Sequence, residues 1–300
     1  MTNIDAAVLN FSPDSMLILN GVLAIVMFAV ALDITPNDFR ALLRTPKPFV
    51  TGILSQFVVL PALTFLLVLA VRPQGSVALG LILVAACPGG NISNYITHRA
   101  GGNAALAVSL TAFTTIGTVL FTPLNIAFWG SLYGPSRAFM TSVAIDPVQV
   151  AATVSLMLVL PLALGMLVNR NLPQLAWHLR KPLQMLSMTI FISFICIALY
   201  GNWEFLGAFG PDIVPLVIAH NGIALLGGYM VATIAGLSPY DRRAISIETG
   251  IQNSGLGLIL IFGFFHGLGG MAVVAAFWGI WHAVSGLALA KWFSRTVAAR

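Results

Sequence analysis

Charge is what this chain has least of. Asp, Glu, Lys and Arg make up 8% of its 300 residues, where soluble domains hold about 25%. Hydrophobic residues make up 58%. A soluble fold of this length cannot hide that much apolar surface behind so few charges, and a disordered chain or a nucleic-acid binder needs the opposite balance. Cysteine is almost as scarce, at two residues. Cys87 and Cys196 both lie in apolar runs and read as small buried hydrophobes. That excludes a disulfide framework and a cysteine metal site. The first 14 residues hold no Lys or Arg, so the apolar stretch Ser15 to Leu32 reads as an uncleaved span rather than a signal peptide. What remains is an all-α polytopic membrane protein.

Apolar runs set against polar punctuation predict nine spans: Ser15–Leu32, Pro48–Val71, Val77–Thr97, Ala104–Trp129, Val148–Val168, Leu183–Tyr200, Ile213–Ala235, Ala244–Phe265 and Met271–Ala290. The breaks carry turn chemistry, such as Arg72-Pro73-Gln74-Gly75 and Gly210-Pro211-Asp212. With the N-terminus outside and the C-terminus cytoplasmic, 12 of the 14 basic residues fall inside: Arg40, Arg44, Lys47, Arg99, Arg170, Arg180, Lys181, Arg242, Arg243, Lys291, Arg295 and Arg300. Arg72 and Arg137 fall outside. The positive-inside rule selects this orientation. The expected location is a plasma membrane, as a bacterial inner-membrane protein. The net charge of +5 then reflects topology and needs no nucleic acid or other acidic partner.

Two spans are interrupted. The third carries Cys87-Pro88-Gly89-Gly90-Asn91-Ile92-Ser93-Asn94, and the eighth carries Glu248-Thr249-Gly250-Ile251-Gln252-Asn253-Ser254-Gly255. Pro88 removes a backbone donor, Gly89 and Gly90 permit irregular backbone, and Gly250 and Gly255 do the same in the eighth span. The two spans are five apart in order, so they cross in opposite directions. The predicted organisation is one transmembrane unit over residues 1–300. It holds an inverted repeat over 15–129 with its broken helix near 77–97, an unpaired span at 148–168, and a second repeat over 183–290 with its broken helix near 244–265. A glycine patch alone also serves tight helix packing. Two patches in corresponding positions of two halves point to a transporter site.

Eight of the nine acidic residues fall in loops or at span ends; Glu248 alone lies inside a span, at a helix break. A charge there costs roughly 3 kcal/mol or more, so it must be paired, protonated or bound to a cation. Gln252 and Asn253 follow it, and Ser93 and Asn94 supply oxygens from the other break. Hard, mostly neutral oxygen donors around one carboxylate suit Na⁺ better than Ca²⁺ or a transition metal. A proton is the competing occupant.

These stretches, with Gln56-Phe57-Val58-Val59-Leu60-Pro61, Met27-Phe28 and Trp281-His282, resemble the bile acid:sodium symporter family over nearly the whole chain. The resemblance implies a ten-helix inverted-repeat fold lacking its first helix, with panel and core domains and two crossing discontinuous helices. It implies two Na⁺ ions and no other cofactor. One ion site would use Ser93, Asn94, Thr111 and Glu248; the other would use Gln56, Glu248, Gln252 and the backbone carbonyls of Thr249 and Ile251. Where the family usually places a serine four residues before Thr111, this chain has Ala107, which weakens the first site. Asn91, Asn253 and His282 match substrate-facing positions for a small organic anion, held at helix N-termini without a basic side chain. Family members often have threonine in place of Asn91 and asparagine in place of Ala283, so the substrate class stays open among bile acids, pantoate-like acids and 2-oxo acids.

The reading is therefore an alternating-access symporter for an organic anion and Na⁺. H⁺-coupled or uncoupled transport, including export, is the alternative. An integral membrane enzyme is more remote, because no acidic metal cluster and no nucleophile beside a base is present. His282 also reads as a packing histidine, and His220 and Asn221 as residues for packing or helix–helix hydrogen bonding. Trp129, Trp203 and Trp278 are candidates for interfacial belts.

Overall fold

The computed structural model describes residues 4–6, 13–32, 46–143, 147–201 and 203–298. Arg40, Arg44 and Arg300 of the basic collar lie outside the described residues. A short 3₁₀ turn at Ile4–Ala6 is followed by helices throughout. They are α1 (Pro13–Ala31), α2 (Pro46–Val71), α3 (Gly75–Ala86), α4 (Ile92–Arg99), α5 (Ala104–Leu132) and α6 (Gly134–Val143). Then come α7 (147–171), α8 (Pro173–Gly201), α9 (Trp203–Ile234), α10 (Pro239–Gly250), α11 (Ser254–Phe264) and α12 (Gly269–Ala298).

Five continuous stretches are long and apolar enough to cross a bilayer: Pro46–Val71, Ala104–Leu132, Val148–Asn171, Gly207–Ile234 and Gly269–Arg295. Leu66, Leu124, Leu164, Leu226, Met230 and Ile234 are exposed on their outer faces. Water would penalise such a surface and lipid does not. The chain is thus an all-helical, multi-pass membrane protein.

One predicted break is not there: helix α9 runs unbroken through Gly210-Pro211-Asp212. The break between the fifth and sixth predicted spans is present at Leu172, and α8 begins at Pro173, ten residues before the predicted start, with Pro182 inside it. A proline inside a long helix costs one ladder bond without ending the helix. The segment after α5, read as a loop, contains α6. The turn at Arg72 is real: it closes α2 in the left-handed conformation at φ 53°. Cys87 is buried, but Cys196 is exposed on α8, contrary to the sequence reading. Trp278 is fully buried in the core, so it belongs to no interfacial belt.

Prolines also explain two irregular stretches. Pro61 and Pro161 lack the donor that an α-helical ladder needs. Each follows a π-helical segment, Ser55–Val59 and Ser155–Val159, in which the ladder shifts by one residue: Leu60 N donates to Ser55 O, and Leu160 N to Ser155 O.

Helices α1, α7 and α8 pack on one another. The remaining long helices pack around the two short pairs α3–α4 and α10–α11, with α5 and α11 touching both groups. Side-chain caps tie the elements near one end. Asn103 caps α5 by accepting from Leu106 N (3.1 Å), and its Nδ2 donates to Asp241 Oδ1 (2.8 Å). Ser238 caps α10 by accepting from Asp241 N (3.2 Å). At the other end, Asp5 accepts from Ser76 N (2.9 Å) at the start of α3.

Close helix approach depends on small residues. A Cβ on Gly80 of α3 would sit 2.8 Å from the Met271 Cα of α12. Gly80→Val is expected to push these two helices apart and to destabilise the protein by about 1–3 kcal/mol, which a thermal melt in detergent measures.

Candidate functional site at the crossing of two broken helices

The chain between α3 and α4 is extended, and so is the chain between α10 and α11. The two extended segments meet. Gly89 and Gln252 form an antiparallel bridge, Gly90 N donates to Ile251 O (2.6 Å), and Asn253 N donates to Pro88 O (2.9 Å). Each break thus recovers from the other part of what its own ladder lost. The broken helices run in opposite directions. The end of α4 meets the start of α10, where Arg243 Nη1 donates to Ala100 O and Gly101 O (both 3.2 Å).

The carbonyls orphaned where α3 and α10 end are satisfied by side chains. Thr122 Oγ1 donates to Ala86 O (2.5 Å) and Gln56 Nε2 to Cys87 O (2.8 Å). Gln252 Nε2 donates to Thr249 O (2.7 Å), and Asn221 Nδ2 donates to Gly250 O (2.7 Å).

The glycines do a different job from the one expected. The described positive-φ glycines are Gly101, Gly236 and Gly267, and neither Gly89 nor Gly90 is among them. These two are glycine for space. A Cβ on Gly89 would run into Glu248 Oε1, and one on Gly90 would lie 2.9 Å from Gln252 O. The second break falls at Ile251–Asn253, between Gly250, the last residue of α10, and Gly255, inside α11. Pro88 follows an extended Cys87, as a residue before proline prefers.

Glu248 is 3% exposed, in the last turn of α10. Ser93 Oγ, from α4, donates to its Oε2 at 2.5 Å. Thr111 Oγ1, from α5, lies 2.8 Å from Oε1 and 3.2 Å from Asn94 Oδ1. A hydroxyl has one hydrogen, so Thr111 serves one of these acceptors at a time. Ala107 offers its carbonyl to Thr111 (3.0 Å) but no side-chain oxygen, and Ser109 turns away to Ala105 O (2.8 Å). Ser93, Asn94, Thr111 and Glu248 therefore form one cluster.

Beside it lies a second cluster. Gln56 Nε2 donates to Gln252 Oε1 (2.7 Å), and Ser55 Oγ lies 2.8 Å from Thr249 Oγ1. Ile251 O is already paired with Gly90 N. Among the described residues, no hydrogen bond joins Glu248 to Gln56 or Gln252. No group of three His, Cys, Asp or Glu is present among the described residues. The donor set is one carboxylate amid neutral oxygens, which fits a monovalent cation.

Asn91 precedes α4 and is half-buried. Asn253 caps α11 by accepting from Leu256 N (3.1 Å), and its buried Nδ2 has no partner. His282 on α12 is buried, and its Nδ1 has no partner. Buried polar atoms left this way are unusual and are available to a ligand. Among the described residues, no hydrogen bond joins these three to one another. The N-termini of α4 and α11, with their partial positive charge, both begin at the crossing.

Sequence reasoning does not single out Ser55, Thr122 or Ser285. Asn221, read as a packing or helix–helix hydrogen-bonding residue, does bond between helices, and one of its partners is a carbonyl of the break. Its place within an apolar span was a usable signal. The hydroxyls carried none, because Ser and Thr in helices commonly bond back to their own turn. His220 does pack: its Nε2 lies 2.6 Å from Thr64 Oγ1, and its ring centroid 4.6 Å from that of Trp278.

A family model described as "Sodium Bile acid symporter family" matches residues 21–208. The chain is 31% identical over 275 residues to the uncharacterized sodium-dependent transporter YocS of Bacillus subtilis, covering 92% of this chain and 82% of that one. It is 32% identical over 235 residues to a probable sodium/metabolite cotransporter, chloroplastic BASS1 of rice, covering 78% of this chain and 55% of the rice protein. It is 28% identical over 243 residues to the human ileal sodium/bile acid cotransporter, covering 80% of this chain and 67% of the human one.

Proposed function

The chain belongs to the sodium bile acid symporter family, a family of sodium-dependent transporters, and from that premise we propose that it imports an organic anion together with Na⁺ by alternating access. One observation carries the reading: Glu248 is buried at a helix break and surrounded by neutral oxygens, without an ion-pair partner among the described residues. A carboxylate there needs a compensating cation or a proton. One Na⁺ would sit among Ser93, Asn94, Thr111 and Glu248. A second would sit among Gln56, Gln252, Glu248 and the carbonyls of Thr249 and Ile251, once the Gln56–Gln252 and Gly90–Ile251 bonds rearrange. The anion would bind beside the crossing, against Asn91, Asn253 and His282, using the two helix N-termini. The substrate class remains bile acid-like, pantoate-like or a 2-oxo acid. The relatives named above are transporters by name and not enzymes, so the membrane-enzyme reading is set aside.

The wider architecture follows the same reading. Nine spans would place the N-terminus outside and the basic collar on the cytoplasmic side of a plasma membrane. Residues 15–129 and 183–290 would form inverted repeats around the crossing, with 148–168 unpaired. Helices α1, α7 and α8 would be the panel that rocks against the core.

Uptake into proteoliposomes tests the coupling. The expected result is inward accumulation of at least one anion from a panel of taurocholate, pantoate and pyruvate, driven by an inward Na⁺ gradient and lost when choline replaces Na⁺. Uptake that is equal in choline would sink the coupling. A second reading, H⁺ in place of one Na⁺, is favoured by Ala107, which leaves the first cluster short of an oxygen. Flux driven by a pH gradient without Na⁺ would select it. For the anion site, His282→Ala is expected to raise KM about tenfold with kcat little changed, the signature of lost ground-state binding.

A further inference from the structure

Next to His220 on α9, which meets Thr64 of α2 and Trp278 of α12, Asn221 joins two elements that the transport reading treats separately. Its side chain is fully buried. Its Nδ2 donates to Gly250 O, the carbonyl at the end of α10 (2.7 Å). Its Oδ1 accepts from Ser285 Oγ of α12 (2.6 Å). Ser285 Oγ also lies 3.1 Å from His282 O, one turn back on the same helix.

Both ends of the amide are therefore in use. Rotating it by half a turn would set Oδ1 against the Gly250 carbonyl, acceptor to acceptor, so its orientation is determined by its neighbours. Gly250 lies two residues after Glu248 and next to Thr249 and Ile251. The backbones of α9 and α10 lie close together nearby: a Cβ on Gly228 of α9 would sit 2.8 Å from Ile245 O of α10. A shift of the break moves Gly250 O, and the amide must follow or leave buried groups unpaired.

We propose that Asn221 and Ser285 form a clasp that transmits cation occupancy at the break to the His282 face of α12. Both are positioning residues, and the proposal rests on the reading of the crossing as a Na⁺ site. The clasp couples the two ligands by a path that does not require them to touch.

The test uses the full chain in detergent and Na⁺ alone as the ligand. Cys196→Ser removes the exposed thiol, and Ala283→Cys places a probe beside His282. Two quantities are measured in NaCl and in choline chloride of equal ionic strength: the unfolding temperature and the rate of maleimide labelling at 283. In this parent, Na⁺ is expected to raise the unfolding temperature and to change the labelling rate by about fivefold, the lower range of allosteric couplings. Adding Asn221→Ala or Ser285→Ala is expected to keep the Na⁺-dependent thermal shift and abolish the labelling response. Ser285→Thr, which keeps the hydroxyl, is expected to restore it. If Asn221→Ala does not fold, Ser285→Ala carries the test. A labelling response that is unchanged in the variants, or absent in a parent that Na⁺ still stabilises, overturns the clasp and leaves the Na⁺ site standing. A parent that Na⁺ does not stabilise overturns the Na⁺ site, and the clasp with it.

Discussion

Glu248→Ala is expected to bring Na⁺-driven uptake down to background. Glu248 is the acid buried at the crossing, and Ser93 and Thr111 bond its two oxygens from different helices. Removing one member of a buried charge pair costs about 3–5 kcal/mol, which corresponds to more than a hundredfold in cation affinity. Both proposed ion positions share this carboxylate, so both weaken together. Glu248→Gln keeps the shape and drops the charge, and it is expected to fold like the parent while losing the Na⁺-dependent thermal shift. Uptake that survives in Glu248→Gln with its Na⁺ dependence intact would move the coupling site elsewhere.

The second large effect is expected at Gly89, which makes no side-chain contact of its own. A Cβ there would collide with Glu248 Oε1. That oxygen is held by Thr111, so an alanine forces the carboxylate off its hydroxyl, and a valine prevents the two breaks from closing on each other. Gly89→Ala is expected to lower apparent Na⁺ affinity by about tenfold, the loss of one charge-assisted hydrogen bond. Gly89→Val is expected to abolish uptake. Gly257→Ala is the control. A Cβ at 257 meets Cys87 Sγ at 3.8 Å, an ordinary contact, and uptake should stay within about twofold of the parent. If Gly89→Ala behaves like the control, the close approach of the two breaks has no part in ion binding.

Much of this was legible beforehand, for reasons that differ by residue. Glu248 stood out because lipid makes every charge expensive, so a lone acid in an apolar run carries information in itself. Pro88 marked the first break because it cannot donate. The second break has no proline; Gly250 and Gly255 placed it within Glu248–Gly255, and the structure narrowed it to Ile251–Asn253. Pro211 gave a false signal, since α9 runs through it. A proline can end a helix or merely sit in one, and the outcome depends on whether neighbouring helices hold the backbone around it.

Composition and patterning alone determined that the chain is a multi-pass helical membrane protein. The apolar content and the scarcity of charge leave no other solvent in which it can fold, and those quantities are local and additive. The tertiary structure decided what the polar residues do. Gly89 became a matter of space rather than backbone freedom, the helix–helix bonds of Asn221 were assigned to the end of α10 and to α12, and Trp278 became a core residue rather than a belt. Each depends on which segment distant in sequence lies within about 3 Å, and no spacing along the chain encodes that distance.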